Sequence, residues 1–135
     1  MNPVSAYVLA IVKGLVISLL MTLGIELCVA AVFLHFSGRT GGKKRYGMEY
    51  LIVSLVNVLT NPLVVGVVYT VMLLRPALRW PVEILLEILV IPAEGLIYRA
   101  AKKSGFDFRK PFLLALCCNL SSYGIGLLVN FFRTL

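Results

Sequence analysis

Four long apolar runs, separated by short charged or proline-bounded breaks, most constrain what this 135-residue chain can fold into. The runs cover about residues 6–36, 48–74, 81–101 and 111–132. Each supplies the roughly 20 apolar residues that a helix needs to cross a hydrocarbon core of about 30 Å. The sequence therefore predicts an all-α, polytopic membrane protein. We expect a single integral membrane domain (1–135) in which four transmembrane helices form an up-down bundle.

Composition excludes several other classes of protein. With 60% hydrophobic and 14% charged residues, the chain has more apolar surface than a small soluble core could bury. A cytosolic enzyme, a nucleic-acid-binding domain and a secreted disulfide scaffold are therefore excluded. Cys28, Cys117 and Cys118 all lie inside apolar runs, so we expect reduced, buried thiols.

The distribution of basic residues predicts the orientation in the membrane. Nine of the 13 Lys and Arg residues belong to the first and third breaks and their flanks: Arg39, Lys43, Lys44, Arg45, Arg99, Lys102, Lys103, Arg109 and Lys110. The opposite side has only Arg75, Arg79 and Arg133, plus Lys13 if its side chain extends outward. Because basic loops stay on the cytoplasmic side, we expect a multi-pass protein of the plasma (inner) membrane with both termini outside.

Polar residues interrupt the apolar runs at helical spacing. Glu83, Glu87 and Glu94 fall within about 40° of one another on a helix. Similar stripes follow helix one, at Ser18, Thr22 and Glu26, and helix two, at Ser54, Asn57 and Asn61. On an insertion scale the third helix sums to about +4 kcal/mol, so it should not insert without partners.

The depths of these residues predict a site near the bilayer midplane. Glu26, Asn57, Glu94 and Asn119 come out about 4 to 7 Å to the cytoplasmic side of the centre, one from each helix. Asn61 and Glu87 lie nearer the centre. Glu83 and Asn130 form an outer approach at the depth of Lys13, which would then be placed to pair with Glu83. Carboxylate and amide oxygens favour a hard cation or a proton, while Glu26, Glu94, Cys117 and Cys118 leave a softer metal open. No cofactor other than a bound cation is expected.

Helices two and four share a pattern that suggests an internal repeat. Aligning residues 50–60 with 112–122 gives Asn-x-x-Ser/Thr at the same offset, beginning at Asn57 and Asn119. Each segment follows a basic loop, and each loop follows a helix with a single glutamate in its cytoplasmic half, Glu26 or Glu94. The chain then consists of two parallel helical hairpins, with Glu26 opposite Glu94. Pro62 and Pro92 indicate a kink or a break beside these polar residues.

Three functions fit this pattern. The first is a small transporter or channel for a cation, a proton or a proton-coupled small substrate, acting as a homodimer because four helices make a narrow pore. The second is a non-catalytic membrane subunit whose polar stripes contact partner helices. The third, an intramembrane enzyme, is disfavoured because His35 lies some 13 Å along the helix from Glu26. In all three cases the lipid bilayer is the surrounding partner and nucleic acid is not a partner.

Overall fold

The chain forms four long helices in a computed structural model, which describes residues 2–37, 47–106 and 108–134. The helices are α1 (Pro3–Ser37), α2 (Gly47–Leu74), α3 (Arg79–Lys103) and α4 (Pro111–Thr134). A short 3₁₀ turn, Pro76–Leu78, joins α2 to α3. Each predicted apolar run lies within one helix, and no strand occurs in the described part of the chain. The predicted all-α, four-helix fold is confirmed.

Local sequence explains where the helices near the third break end and begin. Gly105 follows α3 with a φ of +100°, a left-handed conformation that glycine adopts without strain. The Gly105 N–H donates to the carbonyl of Lys102, and the Phe106 N–H donates to that of Ala101. These two bonds form a Schellman motif, which satisfies carbonyls at the end of α3. Pro111 then starts α4, where its missing N–H and fixed φ are tolerated.

The four helices form a closed ring of antiparallel neighbours. Helix α1 contacts α2 and α4, and α3 contacts the same two helices. The diagonal pairs, α1 with α3 and α2 with α4, make no contact among the described residues. We call the end with the α2–α3 connection the turn end. The opposite end, where α1 and α3 finish, is the loop end. The interior of this ring is where polar side chains can meet.

The surface of the bundle suits a lipid environment. The segments Ile11–Phe36, Gly47–Leu74 and Pro111–Phe132 are long and apolar enough to cross a membrane. Helix α3 is not, because every stretch of 18 residues within it contains at least three charged side chains. Large aliphatic side chains nevertheless cover its outer face, including Leu85, Ile88 and Leu89. The chain therefore has the composition of a membrane protein, with α3 the helix that depends most on its neighbours.

Some residues used to predict the orientation lie outside the described part. These are Arg39, Lys43, Lys44 and Arg45. The described basic residues of the third break, among them Arg99, Lys103 and Lys110, are exposed at the loop end. Both α2 and α3 stay α-helical through Pro62 and Pro92, so neither proline breaks its helix.

The apolar core occupies the loop-end half of the bundle. The rings of Tyr98 and Phe108 stack with centroids 5.1 Å apart. We call this buried cluster the apolar plug; its members are Ala30, Val53, Val56, Tyr98, Phe108, Leu114, Ala115 and Cys118. All four helices contribute residues to the plug. Phe108 is the one member outside a helix and lies just before α4. The plug therefore closes the bundle interior at one end.

Glycine permits one close contact between α3 and α4. The ring of Phe112 packs directly on buried Gly95, where a Cβ atom would overlap the ring. At Gly66 the corresponding space is open. We predict that Gly95→Ala lowers stability by about 1–3 kcal/mol through overpacking. Gly66→Ala should instead raise stability by up to about 1 kcal/mol, because alanine is the better helix former.

Equilibrium unfolding in mixed micelles measures both changes. Combining Gly95→Ala with Phe112→Ala should restore part of the lost stability, as expected for residues in direct contact. Equal effects at the two glycines, or strict additivity with Phe112→Ala, would contradict the contact between α3 and α4.

Candidate functional site

Glu26 of α1 is buried in the bundle interior and holds two neighbouring helices through its carboxyl group. Its side chain is 1% exposed. The Asn57 amide of α2 donates a hydrogen bond of 2.5 Å to Oε2, and the Ser122 hydroxyl of α4 donates one of 3.0 Å to Oε1. The Asn57 amide also donates to the Val53 carbonyl in its own helix, at 3.3 Å. Both carboxyl oxygens therefore have a donor.

Glu94 of α3 has an equivalent set of partners. It is also 1% exposed. The Asn119 amide of α4 donates 2.6 Å to Oε2, and the Thr60 hydroxyl of α2 donates 2.8 Å to Oε1. The Asn119 amide donates in addition to the Ala115 carbonyl, at 2.9 Å. Each glutamate thus receives an amide from the next helix in the chain and a hydroxyl from the other neighbour.

These side chains form one layer across the bundle, to which all four helices contribute. The four residues that the sequence predicts to share a layer form two hydrogen-bonded pairs, Glu26 with Asn57 and Glu94 with Asn119. Ser122 and Thr60 add one hydrogen bond to each glutamate from the remaining neighbouring helix. We call the six residues the central layer. A buried carboxylate is strongly unfavourable without such donors, so the layer fixes how the four helices face one another.

A cavity of about 650 Å³ lies between the central layer and the turn end. Its floor includes Glu26, Asn57 and Asn119, whereas Glu94 does not line it. The exposed residues of its lining all lie in the turn-end half of the bundle; they are Lys13, Ile17, Leu127, Val129 and Asn130. Its walls combine polar side chains with apolar ones, which include Met21, Val64, Val65, Val68 and Val90. The apolar plug lies on the other side of the central layer. The Sγ atom of Cys118, a member of the plug, is 3.7 Å from the backbone carbonyl oxygen of Glu26.

Among the described polar groups that line this cavity, Glu87 and Asn61 present hydrogen-bond acceptors without a donor. Glu87 lines the cavity and has no hydrogen bond or ion pair with any residue that the structure describes. Asn61 donates from its amide to the Thr22 hydroxyl at 2.9 Å, while its own Oδ1 atom is buried without a donor. Both groups accept hydrogen bonds, so the cavity presents unfilled acceptors.

Charged residues at the turn end are arranged differently from the prediction. Glu83 pairs with Arg79 of its own helix, with Nε and Oε2 3.6 Å apart. The Arg79 guanidinium also lies 5.2 Å from the centre of the Trp80 ring. Lys13 lines the cavity as an exposed residue and makes no ion pair with Glu83, so the pairing that its predicted depth would allow is not present. Arg79 competes better because it lies one helical turn from Glu83.

Several features of the site were not assigned from the sequence. Thr60 and Ser122 complete the central layer, and the shared Asn-x-x-Ser/Thr spacing was the signal that pointed to them. The hydroxyl of fully buried Tyr98 has no hydrogen-bond partner among the described residues. From their positions at the end of an apolar run and in the third break, Glu49 and Asp107 are predicted to be ordinary surface charges. This prediction is wrong for Glu49, which is only 8% exposed at the start of α2. Asp107 lies outside the described residues.

The cysteines are only partly as expected. All three are free, but Cys28 is exposed on the outer surface, Cys117 is half-buried and only Cys118 is buried. The expectation of burial is wrong for Cys28, because its position on α1 faces away from the other helices. Within the described residues, no group of three or more His, Cys, Asp or Glu side chains is arranged to hold a metal ion. The metal site involving Glu26, Glu94, Cys117 and Cys118 therefore gains no support from the geometry.

Comparison with protein-family models, with curated proteins and with solved structures found no match for this chain. No relative supplies a function for the cavity. Its residues, distances and surroundings are what indicate the chemistry it can perform.

Removing one donor from the central layer tests its contribution to folding. Ser122→Ala deletes the hydroxyl that donates to Glu26, and Ser54→Ala deletes one that donates only to the Tyr50 carbonyl within α2. We expect Ser122→Ala to lower the free energy of unfolding by about 0.6–2 kcal/mol, because a buried carboxyl loses a donor. Ser54→Ala should change it by less than about 0.5 kcal/mol. Unfolding in mixed micelles compares the two, and equal effects would contradict the arrangement at Glu26.

Proposed function

We propose that this protein is a small membrane transporter that moves a cation, a proton or a proton-coupled small substrate through a Glu- and Asn-lined site near the bilayer midplane. One observation carries the proposal. A cavity of about 650 Å³ runs from the turn end to a buried layer of carboxyl and amide groups, while the apolar plug covers the other side of that layer. A bound solute would thus have access from one end only, which is how alternating-access transporters begin a cycle.

Protonation of Glu26 would alter the contacts between helices. Asn57 meets this carboxyl through its Nδ2 group, which only donates hydrogen bonds. A proton on Oε2 would therefore weaken this bond between α1 and α2, whereas a proton on Oε1 would leave it in place. The Ser122 hydroxyl, by contrast, can rotate and accept. Proton binding at the central layer is in this way coupled to helix packing, and packing must change before the plug opens.

The orientation follows from the basic residues and remains a proposal. If the basic loop end faces the cytoplasm of a plasma (inner) membrane, the cavity opens to the outside, and so do both termini. The solute would then enter from outside and leave past Tyr98 and Phe108 after the plug separates.

The equivalent partners of Glu26 and Glu94 support the proposed repeat. Exchanging α1 with α3 and α2 with α4 converts the Glu26 bonds with Asn57 and Ser122 into the Glu94 bonds with Asn119 and Thr60. We therefore propose two parallel hairpins related by an axis along the membrane normal. The cavity lies within one chain, so one copy can hold the site, and the homodimer stays a prediction.

The transporter fits the contacts better than the non-catalytic subunit. That alternative requires polar stripes that face outward toward partner helices. Glu26, Asn57, Glu94 and Asn119 instead find their partners within the chain and are at most 6% exposed. His35 is exposed near the end of α1, nine residues beyond Glu26, which gives an enzyme no additional support.

Reconstituted protein tests the proposal. Purified protein in liposomes with an internal pH dye should give proton movement above that of empty liposomes when a gradient of protons, Na⁺ or K⁺ is imposed. Glu26→Gln should reduce this movement at least about tenfold, because the amide keeps the shape but cannot exchange a proton. Glu49→Gln is the matched control, since it removes a buried carboxyl that does not line the cavity. Absence of flux in every gradient contradicts transport of a bare proton, Na⁺ or K⁺, and equal loss in both folded variants contradicts transport through the central layer.

A further inference from the structure

The size and walls of the cavity argue against a bare inorganic ion as its occupant. About 650 Å³ lies within the range of about 300–1,000 Å³ that is typical of sites for small organic molecules. A single ion would leave the walls formed by Met21, Val64, Val65, Val68 and Val90 in contact with water. Keeping apolar surface hydrated is unfavourable, so these walls match an apolar body. Hard divalent ions prefer several charged oxygen ligands, and no group of three or more His, Cys, Asp or Glu side chains is arranged to hold a metal ion among the described residues.

The charge in the cavity selects the chemistry of the polar end of such a molecule. Arg79 and Glu83 neutralise each other as an ion pair. Glu26 already receives two hydrogen bonds, one on each oxygen. Glu87 is then the lining carboxylate with no partner among the described residues. A cationic group that donates hydrogen bonds is the ligand that satisfies it best.

The second unfilled acceptor lies deeper in the same cavity. Thr60 is hydrogen-bonded to Glu94, and the two helices run antiparallel. Val67, seven residues after Thr60, therefore lies level with Glu87, seven residues before Glu94. Asn61 is six residues below that level, about 9 Å along the bundle axis. Its buried Oδ1 therefore offers a second acceptor to a molecule that extends from Glu87 toward the central layer.

Glu87 also borders a smaller cleft between α3 and α4. This cleft has a volume of about 140 Å³ and is almost wholly apolar. Ile84, Ile88 and Leu120 line it and are exposed on the surface of the bundle. An apolar substituent next to the cationic group would fit there, on the side that faces lipid.

We propose that Glu87 is the primary binding group of this cavity and that its ligand is a small organic amine, with an N–H-donating ammonium at Glu87 and an apolar body against the valine-rich walls. This inference rests on the proposed transport function and assigns its substrate class. The central layer then carries the proton, and Glu87 holds the substrate. Lys13 is exposed and lines the same cavity, nearer the turn end than Glu87.

Binding to detergent-purified protein tests the substrate class separately from transport. The probe is radiolabelled 2-phenylethylamine, compared with its N,N,N-trimethyl analogue, which keeps the charge and the ring but has no N–H donor, and with neutral 2-phenylethanol. We expect saturable binding of the primary amine and at least about tenfold weaker binding of both analogues. Glu87→Gln should weaken amine binding about 10- to 100-fold, while Glu49→Gln, outside the cavity, leaves it unchanged.

The outcomes distinguish this inference from the proposed function. Glu87-dependent amine binding without uptake into liposomes supports the assignment of the site and contradicts transport. Proton or alkali-cation flux that depends on Glu26, without amine binding, supports transport and overturns the substrate class. Equal binding of the primary and trimethylated amines overturns the requirement for N–H donors. Unchanged binding in a folded Glu87→Gln variant overturns the role of Glu87.

Discussion

The structure depends on the need to satisfy two carboxyl groups inside an apolar bundle. Glu26 and Glu94 lie on diagonal helices that do not touch, so α2 and α4 must supply the donors for both. Each of these two helices therefore presents an amide to one glutamate and a hydroxyl to the other. Such bonds determine helix rotation and depth more strictly than aliphatic packing does, because lipid tails compete equally well for apolar side chains. The central layer is thus both the element that orders the helices and the floor of the cavity.

Access differs on the two sides of this layer. Toward the loop end, Tyr98, Phe108 and Leu114 fill the interior. Toward the turn end the interior stays open as the cavity. Glu26 borders that space and Glu94 does not, although their hydrogen bonds are equivalent. In a transporter this asymmetry separates a carboxyl group that a solute can reach from one that is reached only after a change of conformation.

Much of this architecture could be predicted from the sequence, because hydrophobic run length and helical periodicity are local properties. The four helices, the polar stripes and the grouping of Glu26 with Asn57 were accessible in this way, as was the shared offset of Asn57 and Asn119. The sequence could not show that the glutamate stripe of α3 divides between the cavity and the central layer. Glu87 and Glu94 share a helical face, yet only Glu87 lines the cavity, because plug residues from other helices decide where space remains. The burial of Glu49 and the exposure of Cys28 likewise depend on tertiary packing.

The most direct test of one-sided access compares three positions on α2. Val65 lines the cavity, Leu59 is 64% exposed on the outer surface and Val56 is 3% exposed in the plug. Each is changed singly, as Val65→Cys, Leu59→Cys or Val56→Cys, in protein that carries alanine at the three native cysteines. A charged, membrane-impermeant maleimide is then applied to the turn-end side of proteoliposomes, with labelling after denaturation as the reference for each thiol. We predict labelling at position 65 and protection at positions 59 and 56. Labelling at position 56 with protection at position 65, or equal labelling at all three, would contradict one-sided access.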